Sequence, residues 1–524
     1  DYVTFSSAAS LGGNITAAVL NQEYVIDSIT NDNAFKFTAT ATANSSDSSD
    51  GGGSTVAAYQ TNIGNDVNTE GYGWGVSTFG SSTWGTPRAT PVFNPARLVY
   101  FTRYQDDLLF NYRYGSIYRW VFQTSPSTRA VLLSASPSSG TEVPTEVTQV
   151  LIAQDNQSNI ILALGCTPYP ASGGADRDPL LIRWSDITNP FNFSPSDTTT
   201  AGSLTVQNGS QILKGVPTSR ETLVFTESSL NSLKFVGGFD VFRLDEISAN
   251  TTLIAPNAVI TADNITYWMG LNKFYAYTGG QIKTLDCTVS EEVFKNYNTD
   301  QTDQYFAGLN SEFHEIWWFY CALGSTTINR YVVYNYVENV WFYGDCDDNF
   351  DRTAWSDAGV RPTVQAASDD GYMYDHEVGN NAANSTTDHN AMSAFITSAQ
   401  ISMEAGERFV LLQKIIPDVD FTHSNATSDT QGSTGGVVVT PTVDFSVIAK
   451  KTPGAATYTT NESGETLTDA VTAVSSSTID QFTQQAYMRA RGRSMAFKVE
   501  SSAKNVAWEL GVPRAEVRPD GRRG

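Results

Sequence analysis

The four histidines of this 524-residue chain are the first candidates for chemistry, because imidazole can accept a proton or bind a metal near neutral pH. They are His314, His376, His389 and His423. None stands in the HExxH spacing of a zinc protease, and no GxSxG nucleophile turn accompanies them. Only His376 has a carboxylate on each side, from Asp375 and Glu377. In an alternating strand both carboxylates point to the opposite face from the imidazole, so the sequence predicts a polar strand end.

The densest acidic cluster could supply oxygen ligands to calcium. It consists of Asp345, Asp347, Asp348 and Asp351. It lacks the glycine at the sixth position and the terminal glutamate of an EF-hand loop, so we expect a solvated loop. No phosphate-binding loop or dinucleotide fingerprint is present, and no pair of acids stands out for glycoside hydrolysis. The sequence therefore predicts a protein that is not an enzyme and has no cofactor or metal.

Positive charge is concentrated at the C-terminal end of an otherwise acidic chain. The net charge is -23, yet residues 487–524 contain nine basic and four acidic side chains. Arg489, Arg491 and Arg493 alternate and should share one strand face, and Arg522 and Arg523 lie near the end. These five arginines are the candidates for docking on an acidic neighbouring subunit. A solvated strand face and contact with nucleic acid phosphate are the alternatives.

The elements that must position these residues are strands. Only 17% of the residues are charged and 12% are aromatic, a composition that favours pleated, half-buried surfaces over helical bundles. Alternating aromatic strands run into tight turns and return, as β-hairpins do. Three examples are residues 108–120, 273–282 and 330–341. Such hairpins recur about every fifty residues between 97 and 400, the spacing of propeller blades. We expect six blades, and five or seven blades are the alternatives. A stack of β-sandwiches is the competing architecture.

The predicted fold class is all-β, a β-propeller at 97–400 between two other regions. Residues 1–70 should form a small β-domain, with alternating strands at 24–29 and 34–38. Residues 71–96 should form a Gly/Trp-rich linker, and 401–524 a C-terminal β-sandwich with a basic end. The best helix candidate is residues 289–297.

Cysteine usage and apolar runs exclude two further classes. Cys166, Cys287, Cys321 and Cys346 are scattered and form no CxxC pair, so we expect buried free thiols rather than a disulfide framework or a zinc site. The longest apolar stretches are too short to span a membrane. The chain begins at Asp1 rather than at a methionine, and we expect either processing or a fragment of a longer chain.

Several short strings carry a resemblance to a known family. They are residues 181–186 (LIRWSD) with 200–202 (TAG), 223–227 (LVFTE), 267–270 (YWMG), 315–320 (EIWWFY), 352–355 (RTAW), 375–379 (DHEVG), and the ending that runs from 491–493 (RGR) through 508–511 (WELG) to 518–523 (RPDGRR). Together they resemble a family of bacteriophage virion proteins, the nozzle or hub proteins of short-tailed phages. These are also called packaged-DNA stabilisation or tail tubular B proteins.

The resemblance implies a structural subunit of the virion tail. Its copies would form a six-fold ring below the portal and adaptor, with the tail adaptor and other tail proteins as partners. The ring would retain the packaged genome and provide the channel for its ejection. Double-stranded DNA would pass through it without sequence-specific binding, and an acidic lumen would keep phosphate from adhering. The family has no catalytic residues to transfer.

The alternative function is a secreted β-propeller that binds or hydrolyses carbohydrate. It would use exposed Trp and Tyr side chains as stacking platforms and acidic side chains in the central channel of the propeller. It predicts a monomer with a carboxylate cluster at the blade hub, whereas the nozzle hypothesis predicts a closed ring of subunits.

Overall fold

The computed structural model describes residues 2–31, 34–46, 54–59, 64–69, 95–122, 128–153, 160–238, 240–346, 352–369, 371–383, 389–402, 407–424, 440–451 and 472–521. The chain folds into two compact units. One comprises Asp1–Val224 and Asn231–Asp245, and the other comprises Phe225–Leu230 and Glu246–Gly524. Strands dominate both. No helix among the described residues is long and apolar enough to cross a membrane.

The N-terminal region is a set of short strands with one helical turn. Its elements are β1 (Tyr2–Ser6), α1 (Ala17–Leu20), β2 (Glu23–Val25), β3 (Ser28–Asn31), β4 (Ala34–Lys36) and β5 (Val56–Tyr59). Strands β2, β1 and β5 form one sheet, and β3 and β4 form a separate hairpin. The strand predicted at 24–29 is therefore broken into two. Asp27 lies at the break, where its carboxylate accepts a hydrogen bond from the Thr38 hydroxyl at 2.6 Å.

Three four-stranded sheets follow, each with its strands in chain order. Sheet 1 contains β6 (Val99–Tyr104), β7 (Asp107–Tyr112), β8 (Ile117–Trp120) and β9 (Val131–Leu132). Sheet 2 contains β10 (Val147–Ile152), β11 (Ile161–Cys166), β12 (Leu181–Trp184) and β13 (Gly202–Thr205), with the 3-10 turn Ala171–Gly173 before β12. Sheet 3 contains β14 (Ile212–Pro217), β15 (Thr222–Thr226), β16 (Leu230–Phe235) and β17 (Phe242–Ser248).

Sheet 2 shows why these sequences form stacked blades. Every residue of β11 is buried, because neighbouring sheets cover both of its faces. One face joins a core with Leu109 and Ile117 of sheet 1, and the other joins a core with Val224 and Leu233 of sheet 3. A strand covered on both faces has a continuous apolar run instead of an alternating one.

The second unit continues the same pattern. Sheet 4 contains β18 (Val259–Ala262), β19 (Ile265–Met269), β20 (Phe274–Thr278) and β21 (Gln281–Leu285), followed by α2 (Ser290–Lys295) and the 3-10 segment Thr299–Gln304. Sheet 5 contains β22 (Phe306–Asn310), β23 (Glu315–Tyr320), β24 (Arg330–Asn335) and β25 (Val340–Asp345). Sheet 6 contains β26 (Ala354–Ser356), β27 (Gln365–Ala367) and β28 (Met373–Asp375). Trp268, Phe274 and Trp318 are fully buried, and Phe274 and Trp318 belong to the core shared by sheets 4 and 5.

The first strands of consecutive sheets lie beside one another within each unit. In the first unit β10 contacts both β6 and β14, and in the second unit β22 contacts both β18 and β26. This is the arrangement of propeller blades, in which the first strand of each blade lies innermost. The prediction of an all-β propeller is confirmed, and so are the three hairpins and the short helix.

The C-terminal region is a β-sandwich. Its strands are β29 (Asn381–Ala383), β30 (His389–Ala391), β31 (Ala394–Thr397), β32 (Ile401–Ser402), β33 (Val410–Ile416), β34 (Val419–Asp420), β35 (Thr442–Lys450), β36 (Thr472–Asp480), β37 (Ala486–Gly492), β38 (Ser494–Ser501), β39 (Glu509–Leu510) and β40 (Arg514–Pro519). Sheet 7 has the order β31-β38-β35-β36 with β32 also on β38, and sheet 8 has the order β37-β33-β40. Strands β29 and β30 form a separate hairpin, and β34 pairs with β39.

The two sheets of the sandwich share one core, which includes Leu412 and Met488 from sheet 8 and Phe445 and Val499 from sheet 7. The chain crosses from sheet 8 to sheet 7 at Gly492. A Cβ atom there would lie 2.7 Å from the carbonyl oxygen of Lys450, so only glycine fits. The predicted C-terminal sandwich is confirmed. The predicted domain boundaries at 70, 96 and 400 stay predictions.

Candidate functional site

The predicted docking arginines separate into two groups. Tyr487 and Arg489 of β37 are exposed while Met488 and Ala490 are buried, as strand alternation requires. Arg493 lies beyond the end of β37, so the expectation that three arginines share one strand face holds only for Arg489 and Arg491. Within the part of the chain that the structure describes, Arg489 makes no hydrogen bond or ion pair.

Arg491 and Arg493 are tied to their own chain. The Arg491 guanidinium pairs with the Asp520 carboxylate and lies 4.3 Å from the centre of the Phe409 ring. Arg493 donates to the Glu407 carbonyl oxygen at 2.8 Å and lies 4.8 Å from the same ring. Both cations therefore hold the Phe409 segment in place. Arg522 and Arg523 lie outside the described residues.

An open apolar groove lies between sheets 7 and 8. Its volume is about 500 Å³, and its lining is apolar apart from a few side chains such as Arg493 and Arg514. Ile396, Ile401 and Val517 line it from the edge strands β31, β32 and β40. These three side chains are 51%, 55% and 36% exposed, respectively. The sandwich core is thus accessible along one edge.

His376 lies where sheets 5 and 6 meet. Its ring centre is 4.6 Å from that of Trp355, and its Nε2 accepts a hydrogen bond from Arg352 Nε at 3.0 Å. Burial and the Arg352 cation lower the pKa of His376 to about 4. Asp375 instead accepts hydrogen bonds from Thr363 and Gln365. The imidazole is therefore a neutral structural acceptor at a polar strand end, and its neighbouring carboxylates face elsewhere.

A pair of carboxyl groups occupies the same junction. Asn310 and Glu315 are register partners at the turn end of the β22–β23 hairpin, and Asn310 Nδ2 donates to Glu377 Oε1 at 3.2 Å. Glu315 Oε2 accepts from Trp317 Nε1 at 3.1 Å. Burial and the Glu377 charge raise the pKa of Glu315 to about 7, and burial also raises the pKa of Glu377.

Sequence reasoning missed this carboxyl pair. The local signal was the four-residue loop 311–314, which places Asn310 and Glu315 opposite each other in a hairpin. Nothing local indicated that Glu377, more than sixty residues later, would reach Asn310. In the predicted acidic cluster, Asp345 pairs with Arg330 Nε at 3.1 Å. Asp347, Asp348 and Asp351 lie outside the described residues. Across the described ranges, no three His, Cys, Asp or Glu side chains are grouped for a metal.

The innermost strands carry little chemistry. Strands β6, β10, β14, β18, β22 and β26 contain no Asp or Glu, and their ionisable cations are Arg103 and Lys214. Lys214 Nζ lies 4.5 Å from the centre of the Tyr100 ring, and burial lowers its pKa to about 8. Within each unit, these strands therefore provide no cluster of carboxylates.

Residues 181–186 stabilise sheet 2 through hydrogen bonds and packing. Arg183 is 1% exposed and donates to the carbonyl oxygens of Thr167 at 3.0 Å and Phe193 at 2.8 Å. Trp184 packs so closely on Gly202 that a Cβ there would lie 2.6 Å from the indole. Asp186 fixes the loop that leads back to residue 200. The residues that carry the family resemblance here hold a blade together.

Comparisons with known proteins give only weak similarities, to solved structures. No family model matches the chain, and no curated protein matches it. Among solved structures, the chain is similar to the β-propeller domain of Cps50 (Swd1) from Myceliophteria thermophila, with 8% identity and a TM-score of 0.32 over 54% of this chain and 83% of that one. It is also similar to the N-terminal domain of Nup159, with 8% identity and a TM-score of 0.32 over 53% and 73%.

Proposed function

We propose that this chain is a structural subunit of a bacteriophage tail, the nozzle or hub ring that retains packaged DNA and forms the channel for its ejection. The observation that carries the proposal is the open apolar groove between sheets 7 and 8. Soluble monomers seldom leave a large apolar patch uncovered, so such a surface marks a site of association. The family resemblance supplies the identity of the assembly.

The occupant of the groove in this proposal is a second copy of the chain. Residues 401–524 contain 13 basic and 14 acidic side chains, whereas residues 1–400 contain 19 and 41. In this proposal Arg514 at the groove faces an acidic body on a neighbouring copy, which favours and orients the contact. Contact between two different surfaces of successive copies closes into a ring when the rotation per copy allows it.

The charge distribution also supports a channel role. An acidic surface repels DNA phosphate, so a ring of such subunits would let double-stranded DNA slide without adhering. The tail adaptor is the expected partner above the ring, and the virion tail is the expected location. The lack of carboxylates on the described innermost strands gives the carbohydrate alternative no support.

The test is the mass of the native assembly over a range of protein concentrations. We expect a closed oligomer, a hexamer by the family resemblance, that Ile396→Asp converts to monomer. Ile396 is 51% exposed, so the charge should leave the monomer folded, which circular dichroism checks. Val360→Asp, at a fully exposed apolar position, is the matched control and should assemble normally. A wild-type monomer at high micromolar concentration, or equal assembly of both variants, would count against the proposal.

A further inference from the structure

The carboxyl pair between sheets 5 and 6 lacks a compensating charge. Besides burial, the Glu377 charge raises the pKa of Glu315, the Glu312 charge raises the pKa of Glu377, and no Lys or Arg among the described residues acts on either group. Glu377 is exposed and Glu315 is half-buried, and a half-buried carboxylate is normally paired with a cation or hydrogen-bonded by several donors. Here the hydrogen-bond donors in contact are one from Trp317 and one from Asn310.

A second and independent feature is the side chain of Asn310. It is completely buried, and its Oδ1 has no hydrogen-bond partner in the described structure. Its Nδ2, bonded to the same carbon, contacts Glu377, so the unpartnered oxygen lies beside that carboxylate. An unsatisfied buried acceptor carries a substantial free-energy cost. A cation that accepts electron pairs from oxygen would neutralise the carboxylates and also give Asn310 Oδ1 a partner.

The three side chains converge because of the backbone. Asn310 and Glu315 are opposite each other in register, so their side chains share one face with Cβ atoms roughly 5 Å apart. That face packs against sheet 6 through Trp355, whose Nε1 donates to the Leu309 carbonyl oxygen at 2.9 Å. Glu377 follows sheet 6 and completes the cluster.

We propose that a divalent cation with oxygen ligands binds between the carboxylates of Glu315 and Glu377 and the Oδ1 atom of Asn310, and joins sheet 5 to sheet 6. Calcium fits this donor set, because it accepts carboxylate and amide oxygens in flexible geometry and fills remaining positions with water. Three protein ligands predict weak binding, in the range of about 10⁻⁴ to 10⁻³ M. This inference does not depend on the proposed tail function.

The experiment uses the full chain, freed of metal with EDTA and then titrated with CaCl₂ at pH 8. We expect a saturable rise in the thermal unfolding midpoint. Terbium provides a direct readout, because Trp317 bonds Glu315 and should sensitise its luminescence when the ion binds there. Glu315→Gln and Glu377→Gln should each weaken calcium and terbium binding at least about tenfold by removing a ligand charge.

Two features keep the test decisive. Glu315→Gln removes a like-charge contact, so in EDTA this variant should be at least as stable as wild type. A loss of its calcium-dependent rise in the unfolding midpoint could then not be explained by failed folding. Glu338→Gln, at an exposed position in the turn between β24 and β25, should respond to calcium as wild type does. No calcium-dependent shift in wild type, or an equal shift in all variants, overturns the site.

Discussion

Replacing Asp186 by Asn tests whether the loop after β12 is fixed by a charged acceptor. The Asp186 carboxylate is 3% exposed. It accepts hydrogen bonds from the Thr200 amide at 2.8 Å and hydroxyl at 2.7 Å, from the Asn189 amide at 3.1 Å, and from the Thr188 hydroxyl. Burial by itself raises the pKa of Asp186, but these hydrogen bonds outweigh it and hold the pKa at about 2.

The magnitude follows from the pKa difference. A fall from 3.8 in the unfolded chain to about 2 in the folded protein corresponds to roughly 2 kcal/mol. Because the folded pKa is the lower one, this stabilisation is fully present above about pH 5 and is lost as the pH falls, about half of it by pH 3. Asp186→Asn turns an amide N–H toward these donors and should cost about 2 kcal/mol at pH 7.

Hydrogen exchange of peptides covering residues 186–200 measures the local effect, since a chain of this size need not unfold in two states. We expect faster exchange in the variant at pH 7 than in wild type. After correction for intrinsic exchange rates, the free energy of local opening should differ less between wild type and Asp186→Asn at pH 3 than at pH 7. Asp197→Asn, an exposed carboxylate in the same loop, is the control and should exchange as wild type does. Equal protection in wild type and Asp186→Asn, or a difference that does not change with pH, would refute the reasoning.

Three further predictions follow from named contacts. Arg183→Lys should destabilise its blade by about 3 kcal/mol or more, because an ammonium cannot reach both carbonyl oxygens that the buried guanidinium bridges. The loss of stability is measured by urea unfolding. Arg491→Ala should lower the thermal unfolding midpoint, whereas Arg489→Ala should leave it unchanged, since among the described residues Arg491 has an ion-pair partner and Arg489 has none; equal midpoints would contradict this. The thiols of Cys166 and Cys287 should react slowly with a disulfide reagent at pH 8 until the protein is unfolded, because burial raises their pKa values to about 12 and about 11.

Much of the fold could be predicted because its signals are local. The hairpin of β24 and β25 follows from alternating side chains around a polar turn, and its register is set by that turn. The C-terminal strand β37 follows from the alternation of Met488 and Ala490 with Tyr487 and Arg489. The break after Val25 was missed, because the residues there alternate as a continuous strand would.

The candidate site could not be predicted in the same way. The sequence grouped the five arginines by charge and spacing. In the structure, however, Arg491 and Arg493 both lie over the ring of Phe409 in their own domain. Phe409 is about eighty residues away in sequence, and no pattern near the arginines indicates it. Packing decided which of these arginines is paired within its own domain.

The sequence alone determined that this chain is all-β, that its central region repeats a hairpin unit, and that its acidic body ends in a basic segment. These properties depend on composition and on residues close together in the chain. Tertiary structure alone decided that Asn310 and Glu315 meet Glu377, that His376 is an acceptor for Arg352, and that the sandwich core is open along one edge. These contacts depend on how separate sheets stack, and stacking is determined by residues far apart in sequence.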